Sequence, residues 1–132
     1  MNGKIIIAYF SQSGNTKKLA NMIHAEVGGT LLDIEKGESA DLKTADTVFV
    51  GTPNWSATVS KPVKDFLSTV DLAQKTVIPF CTHGMGGLQN VAADIEKLCP
   101  NSKVLKSFAI KGVEVDTAPE KVKAWLKEIG IN

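Results

Sequence analysis

Residues 4–16 read Lys4-Ile5-Ile6-Ile7-Ala8-Tyr9-Phe10-Ser11-Gln12-Ser13-Gly14-Asn15-Thr16, and the change of character at Ser11 decides how the chain is organised. Ile5 to Phe10 are all apolar. Such a run, without polar alternation, predicts a strand buried on both faces, as in a parallel sheet. From Thr16 to Val27 the pattern changes: Leu19, Ala20, Ile23 and Val27 recur at helical spacing, and Gly28-Gly29 supplies a stop. A buried strand passing through a short polar loop into an amphipathic helix is the start of a βαβ unit.

Working outward, Thr47 to Gly51, Thr76 to Thr82 and Lys103 to Ile110 are further short apolar, β-branched runs, and Thr30 to Glu35 is a weaker one. Helical patterns lie between them. In Lys61 to Val70, Pro62 is tolerated in a first turn and Val63, Phe66 and Leu67 share a face. A third helix is predicted from about Gly87 to Leu98, and a fourth from Pro119 to Ile129, where Val122, Trp125, Leu126 and Ile129 face inward. The Lys36 to Asp46 connection is short for a crossover, and Ala40 to Ala45 offers only a degenerate helix. Strands alternating with helices predict an α/β domain over residues 1–132, with a parallel sheet and right-handed crossovers.

Composition narrows the function classes. With 43% hydrophobic and 22% charged residues, the chain falls in the globular range. Its net charge is +1, and the 15 basic residues, all lysine, form no run; no nucleic-acid footprint is visible. No apolar run approaches the roughly 18 residues of a membrane span, and none reads as a signal peptide. Cys81 and Cys99 share no metal-type spacing with each other or with His24 and His83, which predicts two reduced, packed thiols, a cytoplasmic setting and no metal site. No acid–base triad is apparent, so no catalytic residue is assigned.

Ser11 to Thr16 carries the chemistry. Ligands of open α/β sheets bind at the carboxyl ends of the strands, where strand order reverses. A phosphate there meets free N–H groups and the positive end of a helix dipole. Gly14 permits a tight turn, and Ser11, Ser13 and Thr16 are hydroxyl donors. Neither G-x-G-x-x-G nor G-x-x-x-x-G-K-[ST] is present. A response-regulator receiver would require clustered acids at the ends of the first and third strands, which instead read Tyr9-Phe10-Ser11 and Gly51-Thr52-Pro53. Ser, Asn and Thr also cap helices, and taken alone the segment fits either role.

The loop Ser11-Gln12-Ser13-Gly14-Asn15-Thr16 resembles the FMN-phosphate loop of flavodoxins. Two further stretches extend the likeness over nearly the whole chain. Gly51-Thr52-Pro53-Asn54-Trp55, with Lys61-Pro62-Val63 and Phe66-Leu67 behind it, resembles the second flavin loop and its helix; Cys81-Thr82-His83-Gly84-Met85-Gly86-Gly87 resembles the third. The resemblance implies a three-layer αβα sandwich with a five-stranded parallel sheet in the order 2-1-3-4-5 and FMN at the switch point. It also implies a one-electron carrier between a reductase and an acceptor enzyme. Within it, Trp55 stacks on the ring from a loop, Asn54 and its neighbours face the ring edge, and the amides of Gly84, Gly86 and Gly87 bond the flavin oxygens. Met85 covers the outer ring face, and His83 either donates to the ring or stays solvated. Thr52, Pro53 and Thr82 complete the set.

The chain departs from the family in charge. Carrier flavodoxins are acidic, whereas here no Asp or Glu lies between Asp46 and Asp65 or between Asp71 and Asp94. Two charges about 4 Å apart interact by about 4 kcal/mol at an effective dielectric of 20, so loops without carboxylates repel an anionic reduced flavin less. A neutral rim also suits an FMN-dependent reductase of quinones using NAD(P)H, and a pure binding module is the remaining rival.

Overall fold

The computed structural model describes residues 4–36, 42–55, 58–84, 87 and 90–131. Strand β1 (Ile5–Tyr9) is buried along its whole length, and its alternating side chains feed two separate cores. Ile5, Ile7 and Tyr9 pack with Leu19 and Ile23 of helix α1 (Asn15–Val27) and with Val122, Trp125 and Leu126 of α4 (Pro119–Glu128). Ile6 and Ala8 face the opposite core, with Val63 and Leu67 of α2 (Lys61–Thr69) and Val91 and Ile95 of α3 (Val91–Leu98). Full burial of such aliphatic side chains contributes about 1.5–3 kcal/mol each. Covering a sheet on both faces is therefore what holds the three layers together.

In chain order the remaining strands are β2 (Thr30–Asp33), β3 (Thr47–Trp55), β4 (Thr58–Val59), β5 (Thr76–His83), β6 (Lys103–Val104) and β7 (Phe108–Lys111). The main path runs β2-β1-β3-β5-β6, with β7 also on β5, and all these pairings are parallel. With β6 and β7 sharing the fifth position, this is the order 2-1-3-4-5 implied by the resemblance. Strand order reverses between β1 and β3.

The degenerate helix expected at Ala40 to Ala45 is a 3₁₀ turn at Leu42–Thr44, with Ala40 outside the described residues. Three details differ from the sequence reading. Helix α3 starts at Val91 rather than near Gly87. Strand β3 runs on past Gly51 and pairs antiparallel with β4 through Asn54↔Val59 and Trp55↔Thr58. The Trp55 backbone thus belongs to a hairpin rather than a loop; its side chain is outside the described atoms.

The third difference is the interruption of the last strand at 105–107. The carbonyls of Lys75 and Val77 accept from the Lys103 and Leu105 N–H groups at 2.9 and 3.0 Å, so alternate residues of β5 face this neighbour. The next in that series is Pro79, buried opposite Val50 of β3. Proline has no N–H to extend the ladder. The chain leaves the sheet there and rejoins β5 at Phe80↔Phe108.

Trp125 anchors the α4 layer. Its ring meets Phe49 edge-on at 6.0 Å and Phe108 at 5.2 Å, and its Nε1–H donates to the Lys106 carbonyl at 2.9 Å. Trp125→Ala therefore leaves both a cavity and an unpaired carbonyl, and should cost about 3–5 kcal/mol. Chemical denaturation is the check: the midpoint should fall with little change in slope.

Candidate functional site

The loops following β1, β3 and β5 meet at the carboxyl edge of the sheet. Phe10 continues the ladder by donating to the Gly51 carbonyl at 3.1 Å, after which the backbone turns at Ser11. Ser11 Oγ accepts from the Gly14 N–H at 3.1 Å, folding the loop back on itself. Gly14 is the N-cap of α1 and lies at φ 95°, where a side chain is strained. Among the described residues no side chain caps the helix. The Lys18 N–H is bonded to the Gly14 carbonyl, and the polar loop does not serve as a set of caps for the N–H groups ahead of it. Gln12 and Ser13 are exposed, and Ser11 and Asn15 are half-buried.

Thr16 behaves differently from the other hydroxyl residues of this loop. It is buried, and its Oγ1 lies 2.8 Å from Thr82 Oγ1 at the end of β5. A single hydrogen bond thus ties loop one to loop three across the sheet.

Loop two has its own internal tie. Buried Thr52 accepts from the Ser60 N–H at 3.0 Å, and its hydroxyl lies 2.8 Å from the Pro53 carbonyl and 3.0 Å from Ser60 Oγ. Its side chain is committed to shaping the hairpin, with Pro53 and Asn54 half-buried beyond it. Asn54 Nδ2 donates to the Gly87 carbonyl at 2.8 Å, and the Gly87 N–H donates to His83 Nδ1 at 3.1 Å. Thr58 also bonds Asp94, joining β4 to α3. Loops two and three are thereby connected by side chains. Gly84 is exposed, while Met85 and Gly86 lie outside the described residues.

One element of this edge was absent from the sequence reading. Beyond β7, a 3₁₀ segment, Gly112–Thr117, packs against the start of α1. Gly112 lets Asn15 pack close, since a Cβ there would come within 2.4 Å of Asn15 Nδ2 and push that side chain aside. Lys18 reaches Asp116 at 3.4 Å from the same segment. A glycine directly after the last strand was the available signal.

The titratable groups at this edge are few. Burial pushes the Cys81 thiol up to about 12, in keeping with a packed rather than a reactive cysteine. His83 is held below its ordinary value, first by desolvation and then by Lys111, with Glu114 opposing. No group of three or more potential metal ligands occurs among the described residues, and no helix among them is long and apolar enough to cross a membrane.

A family model described as flavodoxin matches residues 33–129, and the chain belongs to the flavodoxin family. The first loop precedes the matched span. A curated relative, flavodoxin of Picosynechococcus sp., is 31% identical over 85 residues, covering 58% of this chain and 50% of its own length. The chain thus spans about half the length of that relative. A protein of Bacteroides eggerthii assigned as a flavoprotein superposes with a TM-score of 0.83 at 26% identity, covering 99% of this chain and 100% of that one. A Lactobacillus acidophilus flavoprotein in complex with FMN gives a TM-score of 0.67 at 22% identity over 87% and 97% of the two chains, a likeness of fold.

The Thr16–Thr82 pair predicts a measurable coupling. Thr16→Val or Thr82→Val alone leaves one buried hydroxyl unpaired and should cost about 1–3 kcal/mol, whereas the double variant should cost clearly less than the sum. A denaturation cycle over the four proteins reads this. Both cysteines are buried and their thiols are raised by desolvation; alkylation near pH 8 should be slow in the folded protein and fast once it is denatured.

Proposed function

We propose that this chain binds FMN at the carboxyl edge of its sheet and passes electrons between a reductase and an acceptor protein. The observation that carries the binding reading is the first turn of α1, which no described side chain caps, behind a left-handed Gly14. A phosphate suits that position, since its charge is favoured by the helix dipole and its oxygens accept from backbone N–H groups. Space is available, as no described residue beyond its chain neighbours lies within 4 Å of where a Gly14 Cβ would stand. The residues present therefore fit the group.

Each loop has a distinct part in this reading. Ser11, Gln12, Ser13, Gly14, Asn15 and Thr16 hold the phosphate, chiefly through backbone N–H groups, with the exposed Ser13 hydroxyl as a further donor. Thr52 and Pro53 shape the second loop, and Asn54 and Trp55 face the ring, Trp55 by stacking. Thr82 steadies the phosphate loop through Thr16, while His83 and the Gly84–Gly87 stretch, with Met85 and Gly86, border the pyrimidine side. FMN, when bound, supplies reversible electron acceptance and donation. The protein's share is to hold it, limit its contact with water and set its electrostatic surroundings.

The absence of carboxylates from loops two and three argues for a less negative reduced-flavin environment than acidic carriers provide. It also keeps the second reading in view, an FMN-dependent reductase that takes electrons from NAD(P)H itself. Steady NAD(P)H oxidation by the purified protein with a quinone as acceptor distinguishes that enzyme from a carrier needing a separate reductase.

Binding is tested by comparing FMN with riboflavin through fluorescence quenching. Loss of even one hydrogen bond to a charged phosphate, about 1.5–3 kcal/mol, should weaken riboflavin by more than about tenfold. Equal affinities would overturn the phosphate assignment.

A further inference from the structure

His83 begins a relay that crosses the candidate site. Its Nδ1 accepts from the Gly87 N–H at 3.1 Å, and the Gly87 carbonyl accepts from Asn54 Nδ2 at 2.8 Å. His83 closes β5 and Asn54 lies near the end of β3, so three residues brace the loops on either side of the position assigned to the flavin ring. We propose that His83 is a positioning residue: with its proton on Nε2, it fixes the third loop against the second and so sets how tightly flavin is held. The inference rests on the FMN reading above.

The chemistry is one of donor and acceptor count. A neutral imidazole has one nitrogen that accepts, whereas imidazolium has two donors and no acceptor. Protonation at Nδ1 would set that N–H against the Gly87 N–H, leaving Gly87 without its partner and Asn54 without a fixed carbonyl. The surroundings favour the neutral ring. His83 is paired in register with Lys111 of β7, and Glu114 of the following 3₁₀ segment is the opposing charge; β3 presents Pro53 beside Thr82 and contributes no charge.

The sign follows from proton linkage. Desolvation and Lys111 hold the His83 pKa below its ordinary value, and the Gly87 N–H donated to Nδ1 opposes protonation there, so the state with the relay broken binds more protons. The relay is intact above the ordinary histidine value and is lost as the pH falls below it. Flavin affinity should decline across that window by at most about tenfold per pH unit.

The FMN phosphate itself titrates near pH 6, so a variant must separate the two effects. His83→Asn keeps an acceptor near the Nδ1 position but does not titrate; His83→Ala removes the acceptor. Between pH 7.5 and 5.5 the wild type should lose FMN affinity several-fold more than H83N, and H83A should bind several-fold more weakly than the wild type already at pH 7.5. In the FMN-free protein, nitrogen NMR should show Nδ1 unprotonated at pH 7.5 and titration below 6.5. A protonated Nδ1 at that pH, or identical pH profiles for wild type and H83N, would overturn the proposal. Failure of the wild type to bind FMN at pH 7.5 would instead overturn the functional reading, while the NMR result would still judge the relay.

Discussion

A parallel strand buried on both faces can be polar only at its ends, and the organisation of this protein follows from that constraint. Every residue of β1 is buried, so the first place the chain can display hydrogen-bonding groups is the loop beginning at Ser11. The same holds for β3 and β5, whose central residues Val48, Phe49, Val50, Ile78 and Phe80 are fully buried. Because β3 lies between β1 and β5, their polar ends are collected along one edge. The helices that cover the faces must start from that edge, bringing the free N–H groups of α1 to the same place.

The edge is then rigidified by side chains that bridge loops distant in sequence. Thr16 meets Thr82, Thr52 folds onto Ser60, and Asn54 reaches His83 through Gly87. These bonds are individually modest, about 0.5–1.5 kcal/mol, but they act at the positions where the parallel sheet pairing ends. Most are neutral. An edge built from hydroxyls, amides and glycines, with Lys111 nearby and no carboxylate in loops two and three, differs electrostatically from one ringed by acids.

Pro79 illustrates how a single residue shapes the far side of the sheet. By removing one ladder donor it splits the fifth strand into β6 and β7, and the polypeptide re-enters beside Phe80 to reach Lys111 and Gly112. That return places the Gly112–Thr117 segment against the start of α1. Asn15 packs on Gly112, and the start of α1 is supported from a part of the chain almost one hundred positions later.

The strand and helix classes, the parallel sheet and the first-strand loop were legible in the sequence because they follow from local periodicity and from the loss of apolar character at Ser11. The interruption of the last strand was readable in principle from Pro79, but only once its ladder neighbour is known does the missing N–H acquire a location. The β3–β4 hairpin was not legible, since Thr58-Val59 is too short to carry a periodic signal. Whether Ser11 to Thr16 caps a helix or stands open was undecidable from residue types, which serve both roles; the tertiary structure decided it by placing Gly14 at the N-cap and turning Ser11 Oγ back to the Gly14 N–H. Likewise a histidine near three glycines says nothing of its tautomer. The approach of Gly87 to Nδ1 and of Asn54 to Gly87 is a through-space geometry, created only when β3 and β5 lie side by side.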